Sequence, residues 1–272
     1  MSGTILITGA SSGIGRATAI LFQARGWNVV ATMRDPRAGA KLAAHDNVLA
    51  VHLDVTDEQS ITAAVASAIK RYGRIDVLVN NAGYGAYGPL EANTMDEVHR
   101  QFNTNVIGLL AVTKTVLPHM RTNGTGVIVN MSSIGGIVAL PLTSLYHGTK
   151  FAIEGLSEAL HYELAACGIR IKLIEPGVVR TGFGKSVVFS NDENISEYQP
   201  LVRAVLRSRK RMASSDAVTE ASDVAEVVWR AVTDGTETLR YPVGSFAKDI
   251  IARRATEDDS TFYDEIREQM GL

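Results

Sequence analysis

A single cysteine, Cys167, stands in the 272 residues, which leaves no intrachain disulfide and no cysteine-rich metal site. It precedes Gly168 at a helix end and reads as a small buried apolar residue. No apolar run approaches the roughly 18 residues a membrane-spanning helix requires. Neither sign of charge dominates: 27 Lys and Arg against 29 Asp and Glu give a net charge of −2. Composition therefore gives no electrostatic footing for nucleic acid or an anionic membrane. Residues 1–8 lack the basic start of a secretory signal and read as a strand, so a cytoplasmic location is expected. His45, His52, His99, His119 and His161 have no ligand-like spacing, and no metal is expected. Repeats, low-complexity tracts and linkers are also missing. One domain spanning 1–272 is the expectation.

What is present suits a globular enzyme: 46% hydrophobic and 21% charged residues. Short β-rich runs alternate with longer helical segments, the pattern of an α/β protein. Strands are predicted at 4–8, 28–33, 48–53, 77–80, 127–131, 169–174 and 239–242. Helices are predicted at 14–25, 58–72, 95–120, 145–167 and 221–233. The strand runs are apolar without alternation, as in strands buried on both faces. The fold class is a doubly wound, Rossmann-type parallel sheet of about seven strands, with helices on both faces.

Directly after the first strand comes Thr8-Gly9-Ala10-Ser11-Ser12-Gly13-Ile14-Gly15, opening the first helix. Glycines there allow a tight turn and close approach of backbone to a pyrophosphate. The helix N-terminus adds unpaired N–H groups and a favourable dipole. Strand, turn and helix in one βαβ unit point to dinucleotide binding. Further on, Tyr146 and Lys150 lie four residues apart in a helical stretch and project from one face. A cation beside a phenol favours the phenolate, making the pair a candidate acid/base device. The alternative is a surface tyrosine stacked along a lysine stem.

The spacing Gly9, Gly13, Gly15 resembles the T-G-x-x-x-G-x-G turn of the short-chain dehydrogenase/reductase family. The resemblance recurs in Asn80-Asn81-Ala82-Gly83, in Asn105 on the long helix, and in Ser132-Ser133 closing the fifth strand. It continues in Tyr146-x-x-x-Lys150 and in Pro176-Gly177-Val178-Val179-Arg180-Thr181, all in the family's order from residue 4 to 182. Two segments, 30–35 and 151–158, resemble the steroid- and retinol-dehydrogenase-like branch.

That resemblance implies a hydride transfer between a nicotinamide and a carbonyl or secondary alcohol. Tyr146 would be the acid/base and Lys150 would lower its pKa. Ser133 would orient the substrate oxygen, and Asn105 would kink its helix and hold a proton-relay water. Implied cofactor contacts are Gly9, Ser11, Ser12, Gly13, Ile14, Gly15, Arg34, Asp54, Val55, Asn81, Ala82, Gly83, Tyr146, Lys150, Pro176, Gly177, Val179 and Thr181. For Asp54 the alternative is a helix cap. Asp35 lies 20 residues beyond Gly15, a spacing that favours NAD. Arg34, however, resembles the basic residue that meets a 2′-phosphate, and Asp35 suits a turn with Pro36. NADP(H) is preferred, with Ser11, Arg16 and Arg37 as possible helpers and NAD as the alternative.

Substrate walls are expected from Tyr84, Tyr87, residues 134–142 including Gly135, and Phe183, beside Ser133 and Tyr146. Their apolar character favours a hydrophobic small molecule. The polar segment 183–215, with Leu201, Val205 and Met212 at helical spacing, reads as a substrate lid. Its basic residues Arg203, Arg207, Arg209, Lys210 and Arg211 read as a solvated helix face. His147 reads as packing or helix surface. A homodimer or homotetramer is implied by the resemblance; a nucleotide-binding scaffold without turnover is the rival function.

Overall fold

The structure is a computed structural model that describes residues 3–215 and 217–272. Met1, Ser2 and Asp216, which the expected span 1–272 includes, lie outside the described residues. Strands run in the order β1 (Thr4–Ile7), β2 (Asn28–Met33), β3 (Val48–His52), β4 (Val77–Asn80), β5 (Gly85–Tyr87) and β6 (Gly126–Met131). They continue as β7 (Ile169–Pro176), β8 (Val179–Arg180), β9 (Val187–Phe189), β10 (Thr219–Glu220) and β11 (Arg240–Val243). The helices are α1 (Gly13–Ala24), α2 (Glu58–Tyr72), α3 (Met95–Phe102), α4 (Gly108–Asn123) and α5 (Ser144–Ala165). Beyond them lie α6 (Gln199–Ala213), α7 (Ala221–Thr233), α8 (Ser245–Thr256) and α9 (Asp259–Met270).

Seven strands form one parallel sheet in the order β11-β7-β6-β4-β1-β2-β3. Side chains alternate across it. Ile5 and Ile7 of β1 pack with Phe22 of α1 and Val224 and Val228 of α7. Leu6, between them, packs on the other face with Ile61 of α2 and Val112 and Val116 of α4. Burial on both faces explains the unbroken apolar runs of the strand sequences. Winding changes direction between β1 and β4, which opens a crevice at the carboxyl ends of the strands, where ligands of open α/β sheets bind.

The expected elements are found with small shifts at their ends, and three differences are larger. The stretch predicted as one helix over 95–120 is interrupted by a π-helical turn, Asn103–Ile107, between α3 and α4. Two helices, α8 and α9, follow β11, where the sequence pattern had indicated none. They pack with Val202 and Val205 of α6 and with Ile134, Val138 and Leu142 into a third apolar cluster outside the sheet. Finally, β5 pairs in parallel with β9, fastening the segment after residue 183 to the sheet's carboxyl edge. No helix among the described residues is long and apolar enough to cross a membrane.

Candidate active site

A cleft of about 970 Å³ opens at that carboxyl edge, at the upper end of the range for small-molecule sites. At one end it is lined by Gly9, Ser11, Ser12, Gly13 and Ile14, together with Arg34, Asp54 and Val55. Gly9 and Gly13 have φ of 68° and 53°, the left-handed region that side chains rarely adopt. Ser12 occupies the N-cap of α1 with no side-chain cap, and no acidic residue stands in the first turn. The backbone N–H groups there are left for an anion. Gly15 does not line the cleft, contrary to its expected contact: a Cβ there would fall 2.5 Å from the Gly9 carbonyl oxygen and meet the Asn81 amide. Its glycine is required by packing within the turn. Asn81 also acts through the turn, donating its Nδ2–H to the Thr8 and Gly9 carbonyls at 2.9 and 3.1 Å, while Ala82 and Gly83 line the cleft beside it.

At the tip of β2, Met33 is buried and Arg34 is exposed into the cleft. Asp35 turns away: it accepts from the Arg37 N–H at 3.1 Å, caps the turn Pro36–Gly39, and pairs with the Arg37 guanidinium at 2.9 Å. Arg37 is thereby engaged, and neither it nor Arg16 lines the cleft. Burial raises the Asp54 carboxyl, but hydrogen bonds from Thr56 and the nearby Arg34 charge hold it below its ordinary value overall. Its Oδ1 accepts from the Thr56 N–H and hydroxyl at 2.9 and 2.7 Å.

Further along the cleft, Ser133, Tyr146 and Lys150 line it together with Pro176, Gly177 and Val179, while Thr181 lies beside the glycine turn, 3.4 Å from where a Cβ on Gly13 would stand. Ser133 caps the turn Ile134–Gly136 by accepting from the Gly135 N–H at 3.1 Å, and its hydroxyl donates to the Pro176 carbonyl at 3.5 Å. Lys150 is buried and donates from Nζ to the Met131 carbonyl at 2.7 Å. Burial pushes it down to about 8, against a smaller opposing pull from Glu154. The Tyr146 phenol is pushed up, first by burial and then by Tyr87, with the Ser133 hydroxyl opposing. The expectation that Lys150 lowers the tyrosine's pKa is thus not met by these side chains alone. The ammonium lies 5.6 Å from the Tyr146 ring centroid and is aimed at backbone.

Asn105 sits within the π-helical turn and does not reach the cleft surface. Its amide exchanges two hydrogen bonds with the Tyr84 backbone, at 2.9 and 3.1 Å, and donates to the Thr149 hydroxyl at 3.1 Å. Where a kink was expected the helix has a π-turn, and the Asn105 side chain joins it to the loop after β4 and to α5. These bonds place Asn105 next to, rather than in, the open site.

On the substrate side the residue pattern missed the inward turn of Arg209, while His147, expected as packing or helix surface, and Tyr87, expected as a wall, take specific places. His147 is buried, donating through Nδ1–H to the Gly135 carbonyl at 2.7 Å and accepting through Nε2 from the Leu140 N–H at 3.1 Å. The second contact requires an unprotonated Nε2, so Nδ1 carries the hydrogen; burial correspondingly lowers its pKa. Tyr87 packs edge-to-face on Tyr146 with ring centroids 5.6 Å apart. Arg209 of α6, read from sequence as part of a solvated face, lies 4.2 Å over the Tyr87 ring and lines the cleft. Arg209 lies four residues after the buried Val205, on the same helical face, which was the available signal. Phe183 and Gly135 line the cleft as expected, the former 6.0 Å from Tyr146 by ring centroids.

Comparisons with known proteins agree with this architecture. The family model described as short chain dehydrogenase matches residues 3–191. An uncharacterized oxidoreductase of Schizosaccharomyces pombe is 42% identical over 240 residues, covering 88% of this chain and all of the relative. Human 17-beta-hydroxysteroid dehydrogenase type 1 is 35% identical over 253 residues, covering 87% of this chain and 76% of that protein. A short-chain dehydrogenase structure from Streptomyces avermitilis superposes with a TM-score of 0.83 at 35% identity, over 98% of this chain and 96% of that one. Two further solved relatives carry nicotinamide cofactors. A 3-ketoacyl-(acyl-carrier-protein) reductase from Brucella melitensis holds NADH (26% identity, TM-score 0.74, covering 89% and 96% of the two chains). ElxO holds NADP (28% identity, TM-score 0.72, covering 89% and 98%). The glycine turn and its uncapped helix, on a sheet wound in this order, suit such a cofactor, and the enzyme is an oxidoreductase that uses one. By fold, sequence and cleft alike, the chain belongs to the short-chain dehydrogenase/reductase family, in its steroid-dehydrogenase-like branch.

Proposed function

We propose that this enzyme is an NADP(H)-dependent oxidoreductase acting on a carbonyl or secondary alcohol of an apolar small molecule. The observation that carries the reading is one continuous cleft, with the glycine turn and Arg34 at one end and Ser133, Tyr146 and Lys150 further along it. The turn at Gly9–Gly13 and the α1 N-terminus would hold the pyrophosphate, Asp54 and Val55 the adenine side, and Arg34 a 2′-phosphate. Lys150, Pro176, Gly177, Val179 and Thr181 would hold the nicotinamide half. When bound, the nicotinamide supplies or accepts the hydride.

Tyr146 donates its phenolic proton to the carbonyl oxygen in reduction and takes the hydroxyl proton in oxidation. Its raised pKa keeps it protonated, the form reduction needs. The Ser133 hydroxyl lines the cleft near the phenol, where it can hold the same substrate oxygen. Lys150 keeps a cation in the wall, and Asn105 orders the backbone around Tyr84 and Thr149 for proton replacement. The segment 183–215 would be the lid, fastened by the β5–β9 pairing. Exposed Ile107 of the π-turn and exposed Phe151 and Tyr162 of α5 would serve a homodimer or homotetramer interface.

A panel of apolar ketones and aldehydes, followed at the nicotinamide absorbance with NADPH and with NADH, tests the reading. Turnover with preference for NADPH is expected; equal use of both cofactors would remove the NADP assignment, and no turnover by the panel would remove the substrate class.

A further inference from the structure

The substrate end of the cleft is largely apolar apart from its reacting hydroxyls and the cations Lys150, Arg100 and half-buried Arg209. Ile134, Leu140, Phe183 and Met212 line it, and among them Arg209 enters from α6. Burial depresses the pKa of Arg209, and the only opposing influence is the Tyr87 phenol. Among the described residues no carboxylate pairs with it. By contrast, Arg25, Arg240 and Arg253 each hold a carboxylate within 3 Å. Leaving a guanidinium partly desolvated without a counter-charge costs stability unless something else uses it.

Its position is also constrained. The guanidinium lies over the Tyr87 ring at 4.2 Å, and Tyr87 in turn packs edge-to-face on Tyr146. Stacking uses the guanidinium face and leaves its N–H edges for a ligand. The neighbouring His147 offers no second charge, because both ring nitrogens are occupied by Gly135 and Leu140 and its pKa is lowered. Lys150 is engaged by the Met131 carbonyl and Arg100 by the Tyr84 hydroxyl, which leaves the Arg209 guanidinium to balance a single negative charge. The glycine turn and open helix N-terminus that would suit a phosphate lie at the cofactor end of the cleft.

We propose that Arg209 is a specificity residue that binds a carboxylate on the substrate, so that the enzyme acts on oxo or hydroxy acids with an apolar chain. This rests on the reading of the cleft as a carbonyl-reducing site and narrows its substrate class. The carboxylate would lie against the Arg209 edge, the chain along Leu140, Phe183 and Met212, and the oxo group at Ser133 and Tyr146.

Two measurements test it, one of them independent of turnover. Isothermal titration of the wild-type protein with octanoate and with octanamide, in the presence of the oxidised cofactor, reads the charge requirement directly. Octanoate should bind at least about tenfold more tightly, as expected for a charge-assisted bidentate contact. Arg209→Gln, which keeps the stem and removes the charge, should erase that difference, and Arg209→Lys should restore part of it. Medium-chain oxo acids and their methyl esters should show the same discrimination in kcat/KM. Equal binding of octanoate and octanamide by the wild type, or undiminished discrimination in Arg209→Gln, would overturn the proposal. A carboxylate preference in binding, with no oxo acid reduced by the wild type, would instead defeat the carbonyl-reductase reading and leave the anion site standing.

Discussion

Lys150 donates from Nζ to the Met131 carbonyl at the end of β6, 2.7 Å away, and not to the phenol of Tyr146 one helical turn earlier. The ammonium is thereby anchored to the sheet, and Tyr146 is held instead by the rings of Tyr87 and Phe183. A buried cation with a pKa of about 8 is readily neutralised, so its effect on the phenol depends on what else enters the cleft. Lys150→Met should lower kcat while the fold persists, because one partner of one hydrogen bond is removed and a buried charge disappears. An unchanged kcat in a folded Lys150→Met protein would remove Lys150 from the proton chemistry.

Arg34→Leu should weaken NADPH binding by about 10- to 100-fold, the worth of hydrogen bonds to a charged group, and leave NADH binding nearly unchanged. Fluorescence titration with both cofactors measures this. An equal loss for both would mean that Arg34 does not read the 2′-phosphate.

Asn105→Ala should cost about 1–3 kcal/mol of stability, because the Tyr84 carbonyl and N–H and the Thr149 hydroxyl lose their buried partner. Denaturant unfolding reads the change. Asn105→Asp keeps the acceptor for the Tyr84 N–H but loses the donor, and should fall between the two.

Glu175 is buried in β7, 3.3 Å from Arg240, and burial together with the Glu154 charge pushes its pKa up to about 7. The folded protein therefore keeps this proton to about pH 7, while the unfolded chain releases it near 4.5. The native state binds more protons across that window, so stability falls as pH rises through it. Glu175→Gln should remove that loss, worth roughly 3 kcal/mol at the upper end. Melting temperatures of both proteins from pH 4 to 8 check it: a wild-type decline that persists in the variant would assign the titration elsewhere.

The sheet was legible because buried parallel strands are continuous apolar runs, and β1 through β4 show them clearly. The glycine turn, Ser133, Tyr146 and Lys150 were legible because their chemistry demands those residue types in a fixed order. The π-turn at Asn103–Ile107 was not, since apolar spacing reads smoothly through one extra residue per turn. Helices α8 and α9 are short and charged, and bury only a few residues, Ala247, Ile250, Phe262, Ile266 and Met270, against the distant α6. Their stability comes from that long-range packing and leaves little local periodicity. Arg209 was hidden among five cations, and only the docking of α6 over Tyr87 selects which one turns inward. For His147 the sequence leaves packing and helix surface open, and the structure decides for packing, with both ring nitrogens engaged in a buried turn.

The central claim is that Tyr146 carries the proton that accompanies hydride transfer. Turnover of a reactive ketone by Tyr146→Phe, measured beside cofactor binding by the same preparation, tests it most directly. The account predicts a loss of about 10²- to 10⁴-fold in kcat, typical of removing a general acid, with cofactor affinity intact. Retained turnover at the wild-type rate, in a variant that still binds the cofactor, would contradict it.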